Sequence, residues 1–401
     1  MEQIKVKNFL ILKDINLNIG RVNIIIGTQA SGKSLLAKLL YFFKKIINDS
    51  LIISIKNLET QNELIKRIRN LFEEYFPKYT WKTSSFEIIY IKNKIEIKIY
   101  KSKTQREIKV DLSEFINKTF RESKNRIKKF TENDLFITAL DSKYIFNNEF
   151  SKYSESEPIF IPANRSFFTI LQKNIFSFLS KDIKIDPFIK EFGAKYETIK
   201  QMYHLPATNN NKYLESKMRN IVENIIKGEY KYINNQDWIK SKESLINLAN
   251  ASSGQQEALP MLMILSSLPL YHKSIKNIYF VEEPEAHLFP TSQKHIIDLL
   301  ALIYNNQQNI FITTHSPYIL VALNNLLLSY DIKKQKNEDE IKNIIDKDLC
   351  INFDDIKAYT IKDGKLKNIK ENKERLIGIN IIDSVSDDLN NTFDKLLSLQ
   401  E

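Results

Sequence analysis

Gly27-Thr28-Gln29-Ala30-Ser31-Gly32-Lys33-Ser34 sets two glycines, a lysine and a hydroxyl at a spacing suited to a chain of phosphates. The glycines let backbone N–H groups converge on the anion, Lys33 neutralises the β and γ oxygens, and Ser34 offers its hydroxyl to Mg²⁺. The chain holds only 8 glycines, so two of them at this spacing before Lys-Ser are informative. Thr28, Ala30, Ser31 and the following Leu35 complete the stretch expected to bind ATP.

Further along, Glu282-Glu283 follows the apolar run Ile278-Tyr279-Phe280-Val281. A carboxylate at such a strand end can hold Mg²⁺ through water, and a second can polarise an attacking water. By position Glu282 is the metal-side group, together with Ser34, and Glu283 the general base. Thr313-Thr314-His315-Ser316 follows another apolar run, where a neutral His315 can hydrogen-bond the γ-phosphate or the attacking water. His204, His272, His287 and His295 lack that context, though His287, which closely follows the acidic pair, is a weaker candidate. Ala251-Ser252-Ser253-Gly254-Gln255-Gln256-Glu257 opens a helix with serines and a glycine, which makes either a plain N-cap or a second anion site.

These residues need elements to position them. Val22 to Ile26 reads as a short buried strand, and Leu35, Leu36, Leu39, Leu40 and Phe43 mark one face of the helix after the loop. Strand, glycine loop, helix is the context a phosphate loop requires. The runs 278–281 and 309–312, separated by a helix from Thr291 to Tyr304, predict a parallel βαβ unit. Residues 50–80 read as helix, Phe86 to Tyr100 as a hairpin turning at Lys92-Asn93-Lys94, 112–135 as a basic helix, and 185–248 as mainly helical. Pro158 to Pro162 reads as a strand, and Lys357 to Leu366 as a hairpin turning at Asp363-Gly364. The charged stretch Lys333 to Lys347 predicts a boundary before a small C-terminal piece.

Composition is that of a globular chain, 43% hydrophobic and 27% charged, with no run near the roughly 20 apolar residues of a membrane helix. The N-terminus lacks a secretory apolar core, so a cytoplasmic location is expected. One cysteine, Cys350, excludes an internal disulfide framework and a cysteine zinc site. Residues 91–130 carry 13 Lys/Arg against 5 Asp/Glu. That excess either meets DNA, RNA or another polyanion, or is a solvated face.

Taken together, the loop, the serine-glycine-glutamine cluster, the acidic strand end and His315 resemble the ABC-type ATPases of the SMC, RecF and OLD (overcoming lysogenization defect) group. Glu282-Glu283-Pro284-Glu285-Ala286-His287-Leu288 and Thr313-Thr314-His315-Ser316-Pro317 are most like the stand-alone OLD-type ATPases of bacterial phage defence. Ala251 to Gln255 is similar to their signature sequence, departing at Ala251 and Ser253. Ile159 to Arg165 stands where the group has a glutamine, and Asn164 or Arg165 is the candidate γ-phosphate sensor in its place. The resemblance implies an α/β fold with a mixed sheet, an antiparallel β subdomain and an inserted helical lobe. It divides a single domain, 1–401, into a core (1–50 and 250–330), an insertion (51–157), a lobe (158–249) and a C-terminal hairpin and helix (331–401). It also implies a homodimer with ATP sandwiched between the loop of one copy and Ser252, Ser253, Gly254 and Gln255 of the other. The function implied is ATP hydrolysis in phage defence or DNA repair, with a separate nuclease or toxin partner and no membrane contact. A nucleotide-binding subunit of an ABC transporter is the alternative, and a scaffold using ATP only to dimerise is a third.

Overall fold

The computed structural model describes residues 1–131, 156–167, 185–203, 212–242, 244–271, 276–335 and 343–398. In chain order its strands begin with β1 (Glu2–Phe9), β2 (Leu12–Ile19), β3 (Val22–Ile26), β4 (Phe86–Lys92), β5 (Ile95–Lys101), β6 (Lys109–Leu112) and β7 (Ser156–Ile161). They continue with β8 (Glu229–Ile233), β9 (Gln236–Lys240), β10 (Leu245–Asn247), β11 (Lys276–Glu282), β12 (Asn309–Thr314), β13 (Ile356–Lys362) and β14 (Lys365–Asn368). Eleven of them form one mixed sheet in the order β6-β5-β4-β1-β2-β14-β13-β3-β12-β11-β7. From β13 to β7 neighbours run parallel, whereas β2, β1, β4, β5 and β6 form an antiparallel limb.

Wholly apolar strands sit at the centre because both faces of the sheet are covered there. Val22, Ile24 and Ile26 enter one core and Ile25 the other; Val281 and Ile312 join the first, Phe280 and Phe311 the second. Helix α1 (Lys33–Lys45) packs on the second face, and the helices Ser253–Tyr271 and Pro290–Asn305 on the first. The latter closes a right-sized crossover between the parallel β11 and β12. No helix among the described residues is long and apolar enough to cross a membrane.

Four expectations are refined. The hairpin at 86–101, expected within the insertion 51–157, joins the main sheet, since β4 pairs with β1. The C-terminal hairpin is not a separate piece, because β13 lies between β14 and the loop-bearing strand β3. Residues 229–247 form a three-stranded antiparallel sheet in place of helix. Asn234 and Asn235 both adopt positive φ, 51° and 58°, and so make a tight hairpin turn between aromatic and branched residues. The helical stretch at 50–80 is divided, with Leu58 at φ 56° and a new N-cap at Thr60 that shares a capping box with Glu63. The basic helix spans Glu114–Thr131. Its expected continuation to 135, part of the charged stretch 333–347, His204 and His272 fall outside the described residues.

Candidate functional site

Parallel register brings the motifs to one edge of the sheet. Ile26 pairs with Thr314, and Glu282 with Thr313, so β3, β12 and β11 end together. Open α/β sheets bind ligands outside the carboxyl ends of such strands. The loop leaves β3 at Gly27, whose N–H donates to Thr314 O at 3.3 Å. Thr28 and Ala30 are exposed at its tip, and Ala30 has φ 57°. Gly32 enters α1 at φ 103°, a conformation that favours glycine, and a Cβ there would lie 2.6 Å from Leu12 Cδ2, so that side chain would have to shift. Leu35 packs against the core.

Lys33 is 4% exposed, and its Nζ donates to Gly27 O and Thr28 O, both at 2.7 Å. Burial pulls its pKa below the ordinary lysine value, against the opposing charges of Glu283 and Glu285. Glu282 is equally buried; Ala163 N–H donates to its Oε2 at 3.3 Å, and its Oε1 has no hydrogen-bond partner among the described residues. Burial raises its pKa, while Lys38, Ser34 and the Ala163 N–H pull the other way. Ser31 Oγ, Glu285 Oε2 and Thr313 Oγ1 are likewise buried without such a partner among the described residues. Buried polar atoms in that state around a phosphate loop fit a divalent cation and a phosphate anion, which would satisfy them.

Glu283 and His315 face each other. His315 Nδ1 lies 3.7 Å from Glu283 Oε1 and 3.5 Å from Glu285 Oε1. Glu283 is 28% exposed and His315 39%, so both reach solvent from a half-buried position. Glu283 carries φ 43°, a conformation costly for a residue with a Cβ, and its N–H donates to Thr313 O at 2.8 Å. Glu285, missed as a site residue although it stands in the acidic string, ties the two strand ends. Its Oε1 accepts from Thr314 Oγ1 at 2.6 Å and from His315 N–H at 2.8 Å.

Ser252 and Ser253 are exposed at the start of their helix, and a Cβ on Gly254 would meet His287 O at 2.8 Å. Gln255 does not project freely: it forms a reciprocal cap with Ser252 and its Nε2 donates to Ile226 O at 2.7 Å. In the loop after β7, Asn164 is exposed while Arg165 is buried, its donors placed on backbone carbonyls.

A family model described as AAA ATPase domain matches residues 1–320. Among solved structures, an SMC head bound to the C-winged helix domain of ScpA is 13% identical, with TM-score 0.40, over 91% of this chain and 95% of that one. The SMC head domain from Thermotoga maritima is 12% identical, with TM-score 0.37, over 92% and 98%. An Smc head domain with an extended coiled coil, bound to the C-terminal domain of ScpA and derived from Pyrococcus furiosus, is 15% identical, with TM-score 0.41, over 96% and 100%. No curated protein sequence matches the chain.

Proposed function

Because the chain belongs to the AAA ATPase domain family and is an ATP-hydrolysing P-loop ATPase, we propose that it works as an ABC-type switch in which two copies close around ATP. The observation that carries this reading is Glu283 beside His315, with Lys33 in the field of Glu283 and Glu285. The loop N–H groups and Lys33 bind the phosphates, Lys33 exchanging its two carbonyl contacts for phosphate oxygens. Ser34 and the unsatisfied Glu282 Oε1 fit a divalent cation, for which Mg²⁺ would offset charge on the phosphates. Glu283 takes the proton of the attacking water, and His315 steadies the γ-phosphate. The helix start at Ser252–Gly254, exposed at its two serines, completes the other copy's site.

The process driven is nucleic-acid-related, in phage defence or repair, with any cutting done by a separate protein. Lys118, Arg121, Arg126 and Lys128 are exposed along the helix Glu114–Thr131, which supports a phosphate-backbone contact. The basic segment also makes contacts within the fold: Lys98 pairs with Glu87, Lys101 donates to Ser84 O, Lys118 stands 3.9 Å from Glu122, and Arg121 donates to Asn117 O.

The test is Glu283→Gln with ATP and Mg²⁺, sized by light scattering with and without DNA. Turnover should fall about 10²- to 10⁴-fold and an ATP-stabilised dimer should appear. A monomer under every condition sinks the paired reading. DNA affinity should weaken steeply with salt and on reversing the four exposed charges; indifference to both makes this helix a solvated face.

A further inference from the structure

Arg165 is fully buried, and its side chain spans three segments of the chain. Nη1 donates to Pro162 O at 2.9 Å and Glu282 O at 2.8 Å, Nη2 to Glu283 O at 3.1 Å, and Nε to Glu257 O at 2.9 Å. Glu257, itself buried in the helix Ser253–Tyr271, accepts the backbone N–H groups of Arg165 and Ser166 at 2.9 and 2.8 Å. Its Oε1 stands 3.5 Å from Arg165 Nε, so it anchors both the loop and the charge.

We propose that Arg165 is a positioning residue for hydrolysis, which aims Glu283 by gripping the carbonyls of Glu282 and Glu283 together. Successive carbonyls of an extended strand point in opposite directions, so two of them reach one guanidinium only where the chain turns. It turns at Glu283, where φ is 43°. The peptide N–H of Glu283 is held from the other side by Thr313 O at 2.8 Å. With the N–H and both flanking carbonyls fixed, the side chain is directed toward His315. Strain of this kind persists only when surrounding contacts over-determine it, and Arg165 supplies those contacts. A planar fork with several donors suits the task, whereas the single ammonium of lysine does not span carbonyls on separate segments.

This inference rests on the reading of Glu283 as the base, so the experiment separates the two. In the full chain, Arg165→Lys should lower kcat by about 100-fold while KM for ATP stays within about threefold, as expected for a misplaced rather than absent group. Combined with Glu283→Gln, it should slow the enzyme no further than Glu283→Gln alone. A kcat within about twofold of wild type, a KM that rises in step, or losses that multiply in the double variant would each overturn it. Should Arg165→Lys fail to fold by circular dichroism, Glu257→Gln decides, since it keeps the carbonyl contacts and weakens only their anchor. It should cost about tenfold in kcat at constant KM, and unchanged kcat overturns the proposal. If Glu283→Gln itself turns over normally, the base reading fails independently of any result at Arg165.

Discussion

Glu2, at the head of β1, and Glu282, at the tail of β11, are both carboxylates withdrawn from water by the same sheet, and the chain treats them in opposite ways. Burial pushes the Glu2 pKa up, but Lys44, Lys92 and Tyr90 more than reverse it and leave it below the ordinary value. Lys44 Nζ stands 2.6 Å from Glu2 Oε1 and the Tyr90 hydroxyl donates at 2.9 Å. At Glu282 burial prevails over Lys38, Ser34 and one backbone N–H, and the pKa stays above the ordinary value. The surroundings repeat the contrast. Beside the antiparallel limb, Glu59 receives Arg67 and Ser54. At the ends of the parallel strands, Ser31 Oγ, Glu285 Oε2 and Thr313 Oγ1 have no such partner among the described residues. Arg69 Nε, Tyr196 Oη and Trp238 Nε1 elsewhere in the fold are also buried without such a partner among the described residues, but at the strand ends four such oxygens, Glu282 Oε1 included, gather beside the phosphate loop, where a ligand can supply the missing contacts.

The strongest way to break this division is Lys44→Met. It takes the 2.6 Å partner from a withdrawn carboxylate and leaves it the Tyr90 hydroxyl and the charge of Lys92, and the expected cost is about 3 kcal/mol in urea unfolding. ATP affinity, measured by calorimetry on the folded protein, should move less than about twofold. A parallel loss of affinity would show that frame and site are one unit. Lys33→Ala asks the converse. Losing a cation on the phosphates should weaken ATP binding about 10- to 100-fold, the worth of charged hydrogen bonds of about 1.5–3 kcal/mol. Its unfolding free energy without nucleotide should shift by less than about 1 kcal/mol, because the buried ammonium was costly to keep. A large stability loss would move Lys33 into the frame.

The same contrast explains what could be read in the sequence. Gly27, Glu282 and His315 each follow an apolar strand, and apolar strands covered on both faces run parallel, so local pattern alone placed the motifs near one edge. The position of β13 was not legible, because Ile356 and Ala358 on one face with Tyr359 and Ile361 on the other read like any hairpin strand. What places β13 beside β3 is register with Val22, Ile24 and Ile26, more than three hundred residues earlier in the chain. The hairpin at Asn234-Asn235 left a local signal that the surrounding polar helices obscured. For Arg165 the local string showed a charge near a site, which suggested a phosphate sensor. Three of its four carbonyl partners are 92, 117 and 118 residues away, and no spacing rule points to them.

The mildest test lies at Glu59, where Arg67 first and then Ser54 hold the carboxyl down to about 2 from an ordinary 4.5. A depressed carboxyl pKa stabilises fully above the ordinary value, and the contribution fades as pH falls through the depressed one. Solvent screening keeps the expected contribution under about 1 kcal/mol. Glu59→Gln should therefore unfold at slightly lower urea than wild type at pH 7, and the gap should close as pH falls from about 4.5 toward about 2. ATP turnover at pH 7 should be the same in both. A gap that persists in acid would deny Glu59 its charge-based role, and slower turnover would mean that a fully paired carboxylate also serves the site, against the division drawn between Glu2 and Glu282.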